Sequence, residues 1–211
     1  MKVNSKKTQL LMVSPPNGYE NEAFIDLQGG KIETTTKLKL LGFVFGTTPD
    51  ASEHVKEIGR KFRGRFWSLI HLRRAGFRGH ELMKLFNVFV RPVIEFCSVI
   101  YHPMLTQTQS NELERFQKQA AKLAYGSEKS YAELCSEHGI ETLKERRAKQ
   151  VDKFVTKTMK NPRYADEWYP LREDDMHNIR DRKKYRETKT KTLRYYNSPI
   201  SYYRRRANEL G

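Results

Sequence analysis

Lys56, Arg60, Arg63, Trp67, His71 and Arg74 recur at steps of three and four residues. At 100° per residue they collect on one side of a helix, opposite an apolar side made of Val55, Ile58, Phe62, Phe66 and Leu69. The chemistry such a stripe offers is charge neutralisation rather than bond making. Lysine and arginine displace counterions from phosphates, and an indole set among them stacks on a base or ribose. Two readings of Trp67 stand: an exposed stacking group, or a core residue packed beneath another helix, with the charges as a solvated face. Arg146-Arg147, and Arg204-Arg205-Arg206 in the tyrosine-rich end of the chain, extend the phosphate-binding pattern. They read equally as nuclear localisation signals.

Other chemistries find less support. Cys135-x-x-His138 has the spacing of a zinc half-site, and Cys97 and His102 would complete four ligands. Against that, Cys97 lies in an apolar segment, and His138 precedes Gly139 at a helix end, where the helix dipole favours an imidazole. No metal site and no cofactor are expected, and both cysteines should be free thiols. Tyr164-Ala165-Asp166-Glu167 reads as loop sequence before Trp168, and Glu173-Asp174-Asp175 as an exposed acidic turn. Neither a glycine-rich phosphate loop nor a Ser-His-Asp arrangement is present.

The 211 residues suit one ordinary domain or two small ones. With 37% hydrophobic and 31% charged residues the chain is polar, yet apolar enough to form a core over part of its length. A formal charge of +15 favours phosphate-rich partners. Two cysteines build no disulfide framework, so a reducing compartment, cytoplasm or nucleus, is expected. The most apolar stretch, 88–100, is broken by Arg91, Pro92 and Glu95, so no membrane partner is expected.

These side chains need elements to position them. Residues 1–48 read as short strands: Phe24-Ile-Asp-Leu27 pairs with Lys31-Ile32-Glu33 across Gln28-Gly29-Gly30, and Lys37-Leu-Lys-Leu40 alternates with period two and is continued as a buried run by Leu41-Gly-Phe-Val-Phe45. From Asp50 the pattern turns helical, with capping boxes at Asp50/Glu53, Ser130/Glu133 and Thr142/Glu145. Residues 79–101, apolar nearly all round, should form a central buried helix kinked at Pro92. Further helices are expected around 113–123, ended near Gly126, and over 143–159, stopped by Asn161-Pro162. Residues 180–211 hold eleven Lys/Arg against three Asp/Glu and five tyrosines. This tail is expected to be partly disordered, with a short helix near 202–209. The fold class that follows is mainly α, with a small N-terminal antiparallel β element and a helical bundle. The expected segments are 1–48, 49–126, 127–170 and 171–211.

Taken in order, Asn4-Ser5-Lys6-Lys7-Thr8, Leu41-Gly42, Arg91-Pro92-Val93-Ile94-Glu95-Phe96, Leu113-Glu114-Arg115-Phe116-Gln117 and Arg146-Arg147 form a series. It resembles the C-terminal part of the reverse transcriptase of non-LTR (LINE-type) retrotransposons, over about the first 150 residues. The resemblance implies the end of the palm, a primer-grip hairpin, a thumb and a C-terminal extension. Lys7 would lie near the departing pyrophosphate, where an ammonium offsets developing charge. Leu41 and Gly42 would lie against the primer's 3′ end. The family's metal-holding carboxylates lie upstream of the Asn-x-x-Lys-Thr element and would precede Met1, so magnesium belongs to the full-length enzyme and this chain alone should not polymerise. The implied partners are an RNA template, a DNA primer and the missing palm and fingers. Two alternatives stand beside this: a stand-alone, non-specific RNA- or DNA-binding protein, and a transposon remnant with no selected activity.

Overall fold

Residues 30–172 and 184–211, together with 4, 8–13 and 24–27, are described by the structure, a computed structural model. The chain divides into two compact units, Met1–Arg60 and Lys61–Gly211. The division falls inside the first helix.

In the first unit, alternating residues form two antiparallel pairs. β1 (Phe24–Leu27) pairs with β2 (Gly30–Glu33), and β3 (Lys37–Leu40) pairs with β4 (Phe43–Gly46) with Lys37 opposite Gly46 and Leu40 opposite Phe43. Leu41 and Gly42 make the second turn with φ of 48° and 90°. Two successive positive φ values mark the turn whose twist matches that of paired strands. Gly42 adopts its value freely, whereas the Leu41 Cβ costs about 1–2 kcal/mol there. Helix α1 (Ser52–Arg74) follows at once. The Asp50 carboxylate, two residues ahead of the helix, accepts from the Ser52 N–H at 2.8 Å. Buried His54 stacks on Phe43, with ring centroids 4.3 Å apart, and its Nδ1 accepts from the Val44 N–H. A Cβ at Gly46 would lie 2.9 Å from Glu53 Cγ, so only glycine lets β4 end against this helix.

The second unit is helical throughout its described regular structure apart from one bridge, Leu171 to Tyr185. The remaining turns of α1 lead to α2 (Gly79–Leu85), a wide π turn (Phe86–Val90), α3 (Arg91–Glu95), α4 (Ser98–Tyr101) and a 3₁₀ turn (His102–Met104). Then come α5 (Gln107–Tyr125), α6 (Tyr131–His138), α7 (Leu143–Met159), α8 (Pro162–Trp168), α9 (Leu193–Tyr196) and α10 (Pro199–Leu210). The capping boxes expected at Ser130 and Thr142 are formed, and Thr106 with Gln109 makes another at the start of α5. Phe62 stacks on Phe116 of α5 at 4.2 Å, and the apolar face read from Val55, Ile58, Phe62 and Leu69 is buried.

Three expectations are corrected. The 79–101 segment is not buried all round: Leu82, Met83, Phe86, Val90 and Ile94 are buried, while Val88, Phe89 and Phe96 are exposed. It does not break at Pro92 either. The N–H of Arg91 bonds to the carbonyl of Phe86, and this widened turn makes room for the ring that would otherwise crowd Val88. The helical run ends instead at Phe96, which is extended, and α4 restarts after Cys97, a left-handed residue (φ 58°). Tyr164, Ala165, Asp166 and Glu167 lie in α8, capped by Asn161, not in a loop.

The tail packs more fully than its composition suggests. Tyr203 and Ala207 of α10 are buried in one cluster with Val151, Val155, Tyr169 and Tyr185. Tyr203 donates to the Val99 carbonyl at 2.6 Å, and Arg206 grips Asp152 of α7 through two bonds of 2.6 and 2.9 Å. The expected short helix is α10, and it begins three residues earlier than its tyrosines alone suggest. Among the described residues no helix is long and apolar enough to cross a membrane.

Candidate nucleic-acid interface

The part of α1 that belongs to the second unit carries Arg63, Trp67, His71 and Arg74, all exposed. Burial of Phe62 and Leu69 on the other side turns this face outward. Trp67 is 62% exposed, which excludes the reading in which it packs in the core. Its indole is not loose: the His71 ring lies 3.7 Å away between centroids, and His71 Nδ1 bonds to the Trp67 carbonyl at 3.0 Å. The imidazole props the indole and restricts its rotamers, which lowers the entropy lost when a base stacks on it. Among the described residues, neither Arg63 nor Arg74 makes an ion pair, so both guanidinium groups face solvent without competition.

Lys56 and Arg60 lie on the same helix in the first unit and are also exposed, but they are engaged. Glu53 bonds Lys56 at 2.7 Å, and Glu57 grips Arg60 with bonds of 2.8 and 2.9 Å. Those hydrogen bonds, followed by the Coulombic attraction of the same carboxylates, raise both cations above their ordinary pKa. Glu53 also holds Lys37 at 2.6 Å, and these contacts hold its own carboxyl below the usual range. A phosphate approaching here must first displace a carboxylate. The signal was present in the spacing, since Glu53 and Glu57 stand three residues before Lys56 and Arg60.

Other expected contacts turn inward. Arg147 is fully buried on α7, where one guanidinium nitrogen donates to Ser110 Oγ at 3.1 Å. Burial lowers its pKa, and the group reaches no solvent phosphate. Its neighbour Arg146 is half-buried and clamps Glu95 with bonds of 2.5 and 3.2 Å. Arg204 donates to the Trp168 carbonyl, to Thr188 Oγ1 and to the Glu167 carbonyl, so it fastens α10 to the end of α8. Arg206 serves Asp152 and Glu209. Arg205 stacks 3.5 Å above the Tyr196 ring and remains part-exposed, so of the three tail arginines it retains the freest charge. Leu41 stands at the tip of its hairpin, 89% exposed, with Gly42 beside it. Lys7 lies outside the described residues.

Metal chemistry has little to work with. Cys97 and Cys135 are free thiols, and His138 is stacked on Tyr125. Among the described residues no group of three or more His, Cys, Asp or Glu side chains is placed to hold an ion. Comparison with family models, with curated proteins and with solved structures found no match to this chain.

Proposed function

We propose that this chain grips nucleic acid through its phosphate backbone, as the template–primer-holding portion of a LINE-type reverse transcriptase, and does not polymerise by itself. The observation that carries the reading is the outward face of α1. There an indole propped by an imidazole stands between two unpaired arginines, on a helix anchored from its opposite side by the stack of Phe62 on Phe116. Such a face positions a duplex by charge and stacking and reads little sequence. The net charge of +15 adds long-range attraction for a polyanion.

The test is a titration of an RNA–DNA hybrid at three salt concentrations. Arg63→Ala with Arg74→Ala should flatten the dependence of log K on log salt by about 1.5 to 2, since each arginine releases roughly one counterion. Arg60→Ala should change it less, because Glu57 already neutralises that cation. Trp67→Ala should lower affinity by about 1–3 kcal/mol at unchanged slope and unchanged melting temperature. A salt slope near zero for the unaltered protein would remove nucleic-acid binding from the account.

A further inference from the structure

A cleft of about 500 Å³ opens in the second unit between α2, the end of α5 and the turn that follows α6. We propose that this cleft is a nucleotide site. It takes a nucleoside monophosphate, free or as the 5′-phosphorylated end of a strand, with phosphate against Lys84 and Arg91 and base against the Tyr125–His138 pair. The proposal goes beyond the gripping of a duplex and uses none of the residues of α1.

The charge of the cleft is one-sided. Lys84 and His80 are exposed one helical turn apart on α2, and among the described residues Lys84 has no ion-pair partner. Arg91 is held in place by a bond to Asn87 Oδ1 at 2.8 Å and lies 3.8 Å from Glu95. Burial, and then the like charge of Arg146, press the Arg91 guanidinium below its ordinary pKa in spite of Glu95 and Glu141. The carboxylate that borders the cleft, Glu141, is already taken by Lys149 at 2.5 Å and lies 3.7 Å from Arg146. Arg91 and Arg146 share Glu95, whereas a bound phosphate would give Lys84 a counter-anion of its own and Arg91 a second one.

The second half of the site is aromatic. The Tyr125 and His138 rings are parallel, 9° apart in tilt and 3.6 Å between centroids, and both line the cleft. Tyr125 is half-buried, and His138 is the exposed member of the pair. A planar base added to such a pair continues the stack, an interaction indifferent to base identity. The volume lies within the range of small-molecule sites. Cations alone would suit any anion; the stacked rings select one that carries a flat ring.

The full chain is titrated by calorimetry with AMP, adenosine, inorganic phosphate, and a short oligonucleotide with and without a 5′-phosphate. The histidine ring resonances are followed in parallel. AMP should bind more tightly than adenosine or phosphate and should shift the His138 and His80 signals. Lys84→Glu should weaken AMP about tenfold or more, equivalent to roughly 1.4 kcal/mol. His138→Ala should weaken it about fivefold or more without changing phosphate binding. Both residues are exposed, so melting temperatures should hold, and Lys84→Ala should give a smaller loss in the same direction. Trp67→Ala should leave AMP binding intact, which separates failure of this site from failure of the α1 face. Lys84-sensitive binding of AMP assigns a free nucleotide. Lys84-sensitive binding of the 5′-phosphorylated strand alone assigns a strand end. Binding of neither, or binding unaffected by Lys84→Glu, overturns the proposal.

Discussion

Replacing Arg147 by methionine should leave the protein as stable as before or make it more so, although the arginine is among its largest fully buried side chains. Arg147 gains one bond, to Ser110, while among the described residues no atom accepts from Nε or Nη1. Each buried donor without an acceptor costs about 1–3 kcal/mol, whereas one bond from a charged donor returns about 1.5–3 kcal/mol. The carboxylates that attract it do not depend on it. Glu114 accepts from the Tyr131 hydroxyl and from the Leu143 and Lys144 N–H groups, and Glu95 is clamped by Arg146. Removing the cation therefore strands no charge, unlike the severing of a buried pair. Methionine follows much of the same path and fills most of the volume, so the expected change is a gain of about 1–3 kcal/mol. For a unit of this size that is roughly 2–12 °C in melting temperature. Arg147→Ala should instead lose about 2–4 kcal/mol relative to the methionine variant, because it leaves a cavity. Urea unfolding of the three proteins at pH 7, with slopes compared, measures both differences. A methionine variant less stable than the parent by more than about 1 kcal/mol would refute the reasoning and would show that the guanidinium is satisfied by groups such as trapped water.

His102 supplies a pH test. Burial, and then Arg147, push its pKa from 6.5 down to about 4, so the folded protein keeps it neutral where the unfolded chain takes up a proton. Its contribution is flat above pH 6.5, and stability falls as pH drops toward 4, by roughly 3 kcal/mol in all. The stability difference between the parent and His102→Gln should shrink over that window, and parallel curves would count against it. Leu41→Gly should raise the unfolding free energy by about 1 kcal/mol, since glycine adopts the positive φ without a Cβ clash; a loss would mean the exposed leucine packs on something in solution. Burial raises the pKa of both Cys97 and Cys135, so alkylation at neutral pH should be slower than for a model thiol. Mass spectrometry should then count two modified sites after denaturation, and one zinc per chain by elemental analysis would contradict the free-thiol state.

What could be read from the residues in advance was local. The apolar face of α1, the boxes at Ser130 and Thr142 and the stop at Gly126 depend on neighbours within a few positions, and all are present; the buried run expected over 41–45 is instead a turn at Leu41-Gly42 followed by β4, with Leu41 and Phe45 exposed. The outward direction of Trp67 followed from the same geometry, once Phe62 is taken as the inner side. Partners far along the chain left no such trace. Arg146 and Arg147 are adjacent, yet 100° of rotation sends one to Glu95, 51 residues earlier, and the other into the interior. Arg206 meets Asp152 across 54 residues, which made a structural clamp look like part of a basic tail. A hint was available in the tail: Ile200, Tyr203 and Ala207 recur at three and four residues, but the periodicity is aromatic and small rather than aliphatic. The turn at Cys97 had no signal in residue type, because cysteine has no preference for a left-handed backbone.

The closure of α10 over α7 sets a timetable for synthesis. Val151 and Val155 emerge with an apolar side that the nearby Tyr169 covers only in part, and the rest of their lid, Tyr203 and Ala207, is translated about fifty residues later. The Tyr203 hydroxyl must then reach a carbonyl made 104 residues before it. The second unit cannot complete this core until α10 has left the ribosome. Contacts of that separation form slowly, and an apolar groove left open in the meantime invites a chaperone or another nascent chain. Yield from expression should therefore respond to chaperone supply and to temperature more than the stability of the finished fold would suggest.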